Sequence, residues 1–363
     1  MQDLELAPDS RSHRLREMYW NGDHNQYIVS KVLAGSGEPT TANAAKYLAM
    51  GYPLFGRIQH GSTLVERAED FAALLNETSP VIQASDMLAG ITTVLPAEGS
   101  TIALGHYDGH YTPGNANIIR MGYTGIRDRA SEKLAAETDP AKRDFLEAAV
   151  ISYDAACRFA ETHALHAEAL ADEALDPKRR DELKQIASVC HQIATGPPET
   201  FLAGLQLMWF TFMYGARGSI GRFDQWMVPL YRNDIESGRM THEDAQELIE
   251  NYFVKLNYFA GNNDSLRNIA LAGQTPEGKD ACNELSTMCL VAAARLMLPE
   301  PKLNVRFFEG SPRHLLELSC RLTCKGLSNP AYFNDAVALP GLLRLGIPLE
   351  EARDYCNDGC SEL

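Results

Sequence analysis

The sequence predicts an α/β protein in which a helical first part leads into parallel strands. Two observations carry this. From about Ile118 to Thr195 the chain reads as mostly helical. The final third then alternates. Ile269–Gly273, Leu303–Phe307 and Ala331–Asn334 read as short strands, with helices over Ala281–Leu298, Pro312–Cys324 and Val337–Leu345 between and after them. Strands separated by helical crossovers run parallel. On such scaffolds the chemistry comes from loops at strand ends.

Taken in order, residues 1–60 are mixed and turn-rich, with Gly35-Ser-Gly-Glu-Pro39 marking a loop. Leu64, Val65, Ala68, Phe71, Ala72 and Leu75 follow helical spacing, and Thr78-Ser-Pro80 ends that helix. Val81-Ile82 and Met87-Leu-Ala-Gly90 read as a short strand or an apolar turn. Residues 96–116, rich in Gly, Pro, His and Tyr, form a loop long enough to suggest function. Asp139-Pro140 breaks the helical region and caps the next helix, Ala141–Leu175, and Asp176-Pro177 starts another. A strongly apolar helix follows Pro197-Pro198 through Leu205, Trp209 and Phe212. Gly215–Gly221 is a glycine-rich break ending in Gly221-Arg-Phe-Asp-Gln225, with Val228-Pro-Leu-Tyr231 after it. Thr241-His-Glu-Asp244 is a helix start with acidic residues in its first turn, opening a helix to about Asn257. The last helix, Pro348–Asp354, delivers the chain to Cys360.

At 363 residues the chain is long enough for a large core. Its 33 basic and 48 acidic residues give a net charge of −15. The acidic residues are scattered through helical stretches as a solvated surface, which argues against nucleic-acid binding by a basic face. No apolar run approaches the roughly 18 residues of a membrane helix, and Met1-Gln-Asp-Leu-Glu carries no signal-peptide pattern. A cytoplasmic, non-membrane protein is expected. The eight cysteines sit mostly in helix-like segments, which favours reduced thiols over a disulfide framework. Cys320 and Cys324 lie one helical turn apart, and His106 and His110 are equally spaced, but neither pair has the second pair a zinc site needs. No bound metal is expected; a zinc protein remains the alternative that metal analysis would detect.

The stretch Tyr355-Cys-Asn-Asp-Gly-Cys-Ser-Glu362 carries the chemistry. In an extended loop, period-two alternation puts the Cys360 sulfur and the Glu362 carboxylate on one side. A sulfur that handles hydrogen atoms beside a base that handles protons is a usable pair. The same residues also fit a buried cysteine acting as a small hydrophobe.

The order of motifs resembles the N-terminal part of the glycyl radical enzymes, the pyruvate formate-lyase-like superfamily. The resemblance starts at Arg67-Ala-Glu-Asp-Phe, Gly109-His110 and Gly122–Ile126. It continues through Pro198-Glu-Thr-Phe to Trp209-Phe210 and Gly221-Arg-Phe-Asp-Gln225. Pro301-Lys-Leu-Asn-Val-Arg306, Phe333-Asn-Asp335 and Ala352-Arg-Asp-Tyr355 then lead to Gly359-Cys-Ser-Glu362. It covers roughly residues 60–363. It implies a helical N-terminal region plus the first half of a ten-stranded α/β barrel, ending at the cysteine loop. It also divides the chain into an N-terminal segment, 1–60, and an incomplete lyase domain, 61–363.

By the resemblance, Cys360 is the thiyl carrier and Glu362 the general base or acid of the dehydratase-like branch, tuned by a mostly dry pocket. Pyruvate formate-lyase itself has two adjacent cysteines at this tip. Here position 359 is Gly, which disfavours acyl transfer, and Cys356 is expected to be a structural thiol. His110 matches a substrate-side histidine, with a loop histidine bonding backbone as the plain alternative. Gly114 stands where the family often has an aspartate, and the segment before Gly221 is short. Arg217 could bind an anionic substrate group there or serve as a surface arginine. Asp224 and Gln225 read as buried structural polar residues. Arg120-Met-Gly-Tyr123 looks like the family's radical loop but lacks one residue, so Gly122 is not assigned the radical.

The resemblance further implies that no cofactor is bound directly. The glycyl radical would stand on a C-terminal part outside these residues, installed by a radical-SAM activating enzyme, in an anaerobic setting. The complete protein would be a homodimer acting on a small-molecule substrate. The chain alone, whether a fragment or one component of a split enzyme, is expected to be inactive, with exposed strand edges. The rival readings are a formate-lyase or decarboxylase-like enzyme and a non-catalytic scaffold.

Overall fold

The structure, a computed structural model, describes residues 3–21, 62–77, 80–90, 112–213, 219–257, 267–326 and 329–358. The loop predicted at residues 35–39, the loop predicted at 96–116 from residue 96 to 111, and most of 215–221 lie outside them. In chain order the elements begin with helices α1 (Arg11–Asn21), α2 (Leu64–Glu77), α3 (Asn115–Ala136), α4 (Pro140–Glu173) and α5 (Pro177–Thr195). Helices α6 (Phe201–Met213), α7 (Phe223–Glu236) and α8 (His242–Asn257) follow. Then come β1 (Asn268–Ala272), α9 (Glu284–Leu296), β2 (Lys302–Phe307), α10 (Arg313–Cys324), β3 (Ala331–Asn334), α11 (Asp335–Arg344) and α12 (Leu349–Arg353). The chain forms two compact units. One comprises Gly22–His106 and Ala116–Gly215; the other comprises Met1–Asn21, Tyr107–Asn115 and Ala216–Leu363.

The first unit is helical. The side chains of Asp139 and Asp176 accept backbone N–H groups of Lys142 and of Lys178 and Arg179, and Pro140 and Pro177 open α4 and α5. Each proline sits where the missing N–H costs nothing. The buried stripe of α4 is alanine-rich, from Ala155 to Ala171, which lets neighbouring helices approach closely. Helix α6 is buried all round, in keeping with its unbroken apolar run. Its Gln206 pairs both amide ends with Ala89, accepting from N–H at 2.7 Å and donating to the carbonyl at 3.0 Å, and Trp209 Nε1 donates to the Gly90 carbonyl. The segment 80–90 is therefore an apolar turn and not a strand, its backbone groups satisfied by side chains. In α3 the backbone breaks at Gly122, where a Cβ would lie 2.7 Å from the Gly196 carbonyl oxygen. That position needs glycine for packing and a positive φ.

On the surface of this unit His191 of α5 bridges two carboxylates of α4, Glu161 at 2.8 Å and Glu168 at 3.0 Å. Burial lowers its proton affinity, but the two carboxylates outweigh that and hold it above the ordinary histidine value. A raised folded pKa means the bridge is fully formed at acid pH and lost as pH rises through that pKa. Replacing His191 by Gln should therefore cost up to about 1 kcal/mol at pH 5 and almost nothing at pH 8.5. Urea midpoints at the two pH values test this; equal losses would refute the charge bridge.

The second unit holds a parallel sheet in the order β1-β2-β3. Ala270 pairs with Asn304 and Ala272 with Arg306, while Asn304 pairs with Ala331 and Arg306 with Phe333. Gly221 extends the sheet beside β1 through a parallel bridge to Ile269. β1 is buried throughout, whereas β3 is mostly exposed and has no further strand partner among the described residues.

Two sequence expectations need correction here. The stretch around Val228-Pro-Leu-Tyr231 carried no assigned element, yet it lies in α7 with Pro229 inside the helix. Proline there removes one helical hydrogen bond. Burial of Phe223, Asp224, Met227 and Tyr231 offsets the loss. The helix expected from Ala281 begins at Glu284. Ala281 N–H bonds the Gly273 carbonyl instead, and Asn283 with Ser286 forms a reciprocal cap at the true start.

Glu300, 4% exposed, precedes β2, and its Oε2 has no partner. Burial pushes its carboxyl up to about 7, against the pull of Arg267 and Lys302. The folded chain then holds this proton more tightly than the unfolded one, so stability falls as pH rises from about 4.5 to 7. The loss is on the order of 3 kcal/mol. Glu300→Gln should remove that part of the pH slope in denaturation midpoints; an unchanged slope would mean the carboxyl stays ionised.

Candidate active site

The proposed catalytic and binding residues Cys360, Glu362, His110 and Arg217 lie outside the described residues. The structure describes the segments that lead to them, and within the second unit these are tied pairwise. Thr112, two residues after His110, has its Oγ1 3.2 Å from the Sγ of Cys356, four residues before Cys360. Asn115 Nδ2 donates to the Ile220 carbonyl at 3.1 Å, three residues after Arg217. Ser219 Oγ lies 2.8 Å from the Asn357 carbonyl and 3.1 Å from that of Asn268, so its single proton is shared between them. Three segments far apart in sequence are thus brought together at one place. Burial raises the Cys356 thiol above its ordinary pKa, although Thr112 pulls the other way. A protonated, hydrogen-bonded thiol suits the structural role expected of it.

The arm carrying the cysteine loop is held by two buried arginines. Arg306, fully buried on β2, meets Asp335 in a bidentate pair at 3.0 and 2.9 Å. Its remaining N–H groups donate to the carbonyls of Tyr355 and Arg353, both at 2.8 Å. The guanidinium carbon lies 3.7 Å from the centre of the Tyr355 ring, and the Tyr355 hydroxyl closes the circuit by donating to Asp335 Oδ1. Gly273 makes room, because a Cβ there would lie 2.7 Å from the guanidinium. Arg222 repeats the device. It pairs with Asp354 at 2.6 Å and donates to the carbonyls of Ala272, the last residue of β1, and Gln274. A planar fork with several fixed donors can hold carboxylate and carbonyls at once, which a lysine cannot.

Asp224 is buried, as expected, whereas Gln225 is half-buried. Asp224 Oδ2 accepts from Ala272 N–H and Ser286 Oγ, and burial pushes its carboxyl up. Gln225 donates to the Ala281 carbonyl. Among the described residues, no group of three or more His, Cys, Asp or Glu side chains is placed to hold a metal. No helix among them is long and apolar enough to cross a membrane. Sequence reasoning assigned no role to Arg306, Asp335, Arg222 or Tyr355. They stood inside motifs that matched in order, but their partners are up to 132 residues away.

Residues 105–363 match the family model described as pyruvate formate lyase-like. The chain belongs to the pyruvate formate lyase-like family. It is 36% identical over 284 residues to (2S)-3-sulfopropanediol dehydratase of Klebsiella oxytoca, covering 71% of this chain and 34% of that protein. It is 34% identical over 271 residues to isethionate sulfite-lyase of Oleidesulfovibrio alaskensis, covering 68% of this chain and 33% of that protein. A solved structure concerned with 1,2-propanediol dehydration in Roseburia inulinivorans superposes with a TM-score of 0.80 at 25% identity, covering 99% of this chain and 55% of that one. These relatives place the chain with the glycyl radical dehydratase and lyase branch of the family, and its fold matches about half of the solved structure. The chain spans about a third of the length of the curated relatives it matches.

Proposed function

We propose that this chain is the substrate-binding part of a glycyl radical lyase that eliminates a leaving group from a small hydroxylated molecule. The observation that carries the reading is the pairwise tying of the segments next to His110, Arg217 and Cys360, in a chain whose named relatives are dehydratases and lyases. The glycyl radical, installed by a radical-SAM activating enzyme, supplies the unpaired electron that Cys360 uses.

Cys360 takes a hydrogen atom from the substrate carbon that bears the hydroxyl, forming an S–H bond as the C–H bond breaks. Glu362 takes the hydroxyl proton as the bond from the adjacent carbon to its substituent breaks, and passes that proton to the leaving group, which departs as water or hydrogen sulfite. Cys360 then returns a hydrogen atom to the product carbon. His110 and Arg217 orient the substrate, Arg217 through a bidentate contact where that substrate carries an anionic group. The clamps at Arg306 and Arg222 keep the arm before Cys360 in one register, which is what proximity catalysis requires.

The substituents removed by the relatives, water and sulfite, set the panel to test. The full gene product, activated anaerobically, should form an aldehyde from 2-hydroxyethanesulfonate, 2,3-dihydroxypropane-1-sulfonate or propane-1,2-diol, with sulfite or water released. Formate production from a 2-oxo acid and coenzyme A, with no elimination from any of the three, would overturn the reading. A homodimeric, cytoplasmic enzyme belongs to the same proposal.

A further inference from the structure

Asn357 stands three residues before Cys360. It is fully buried, yet neither its Nδ2 nor its Oδ1 has a hydrogen-bond partner. Its backbone is well held, by Ser219 at its own carbonyl and by Arg306 at the Tyr355 carbonyl two residues earlier. A second buried amide is also left open, the Nδ2 of Asn304 on β2, where the residue is 2% exposed. Asn304 and Arg306 are two apart on one strand, so they share a face of the sheet. That face meets the arm at residues 353 and 355, whose carbonyls accept from Arg306. Buried polar groups without partners are rare, since each forfeits its hydration and gains nothing in return. Two of them in this position indicate a ligand that supplies the missing bonds.

We propose that the Asn357 amide binds a hydroxyl group of the substrate, with Asn304 Nδ2 donating beside it. A carboxamide presents one acceptor and two donors. A hydroxyl is both donor and acceptor, so it satisfies Oδ1 and Nδ2 alike. A sulfonate or carboxylate has acceptors only and would leave the Asn357 Oδ1 unpaired. Asn357 is thus a specificity residue that reads the uncharged, hydroxylated part of the substrate. The inference rests on the proposed lyase reading and deepens it.

The test uses the full-length, radical-free enzyme, with calorimetric binding of propane-1,2-diol and of 2-hydroxyethanesulfonate to the wild type, Asn357→Ala and Asn304→Ala. Asn357→Ala should weaken binding by roughly tenfold to a hundredfold, and Asn304→Ala should weaken it in the same direction. The ligand-free melting temperature of Asn357→Ala should stay level or rise, because an unpartnered polar group has been removed. Wild-type affinity in Asn357→Ala, with a melting temperature several degrees lower, would overturn the inference by showing a structural amide bonded to interior water. If Asn357→Ala does not fold, Asn304→Ala decides, and wild-type affinity there overturns it. Should the wild type bind neither probe, 2,3-dihydroxypropane-1-sulfonate is titrated in their place; if it too fails to bind and none of the three is eliminated by the activated enzyme, the lyase reading fails and takes this inference with it. Equal binding by wild type and Asn357→Ala fails the inference alone.

Discussion

Replacing Arg306 by methionine is expected to cost about 3–5 kcal/mol of folding stability, because the Asp335 carboxylate is left buried with its charged partner gone. Both side chains of this pair are wholly inaccessible to solvent. The Tyr355 hydroxyl still donates to Asp335 Oδ1 and Gln274 Nε2 to Oδ2, but two neutral donors do not replace a bidentate cation. Removing both charges, as Arg306→Met with Asp335→Leu, should recover most of the loss, since an apolar pair of similar bulk needs no desolvation of charge. The carbonyls of Arg353 and Tyr355 would stay without their donors in both variants. Amide hydrogen exchange over residues 354–358 should therefore be faster in the single and the double variant alike, even as urea midpoints separate them. A double variant that restores protection at the arm would show that Arg306 acts through stability alone.

The second large effect concerns the proposed radical carrier. Cys360→Ala in the activated full gene product should abolish elimination, a loss on the order of 10⁴-fold or more, as when the sole covalent carrier of a reaction is removed. The glycyl radical signal in electron paramagnetic resonance should persist, because alanine takes away the hydrogen-atom relay and leaves the radical's own site untouched. Cys356→Ala provides the contrast. Its thiol is protonated and bonded to Thr112, so turnover should fall by less than about tenfold, the size of a lost neutral hydrogen bond. Full elimination activity in Cys360→Ala would show that Cys360 is not the hydrogen-atom carrier.

The helical unit was legible because its signals are local. Asp139-Pro140 and Asp176-Pro177 announce helix starts whatever the tertiary context, and the apolar run after Pro198 fits only a fully buried helix. Strands β1 and β2 were equally readable, since a buried parallel strand is a short apolar run between turn signals. Helix α7 was not, because Pro229 argues against a helix locally and only burial of Asp224 and Tyr231 overrules it.

The candidate site divides along the same line. The sequence by itself determined the fold class and the family, and it is the sole source of the proposal that Cys360 and Glu362 react, because each rests on periodicity or on the order of short motifs along the chain. Only the tertiary structure decided how the approach to that stretch is built. The Arg306–Asp335–Tyr355 circuit, the Arg222–Asp354 pair and the unpaired amide of Asn357 join residues tens of positions apart or depend on burial. The physical reason is that a guanidinium reads the same in any sequence. Whether it meets solvent, or a carboxylate and two carbonyls in a dry interior, is settled by which segments the fold packs around it.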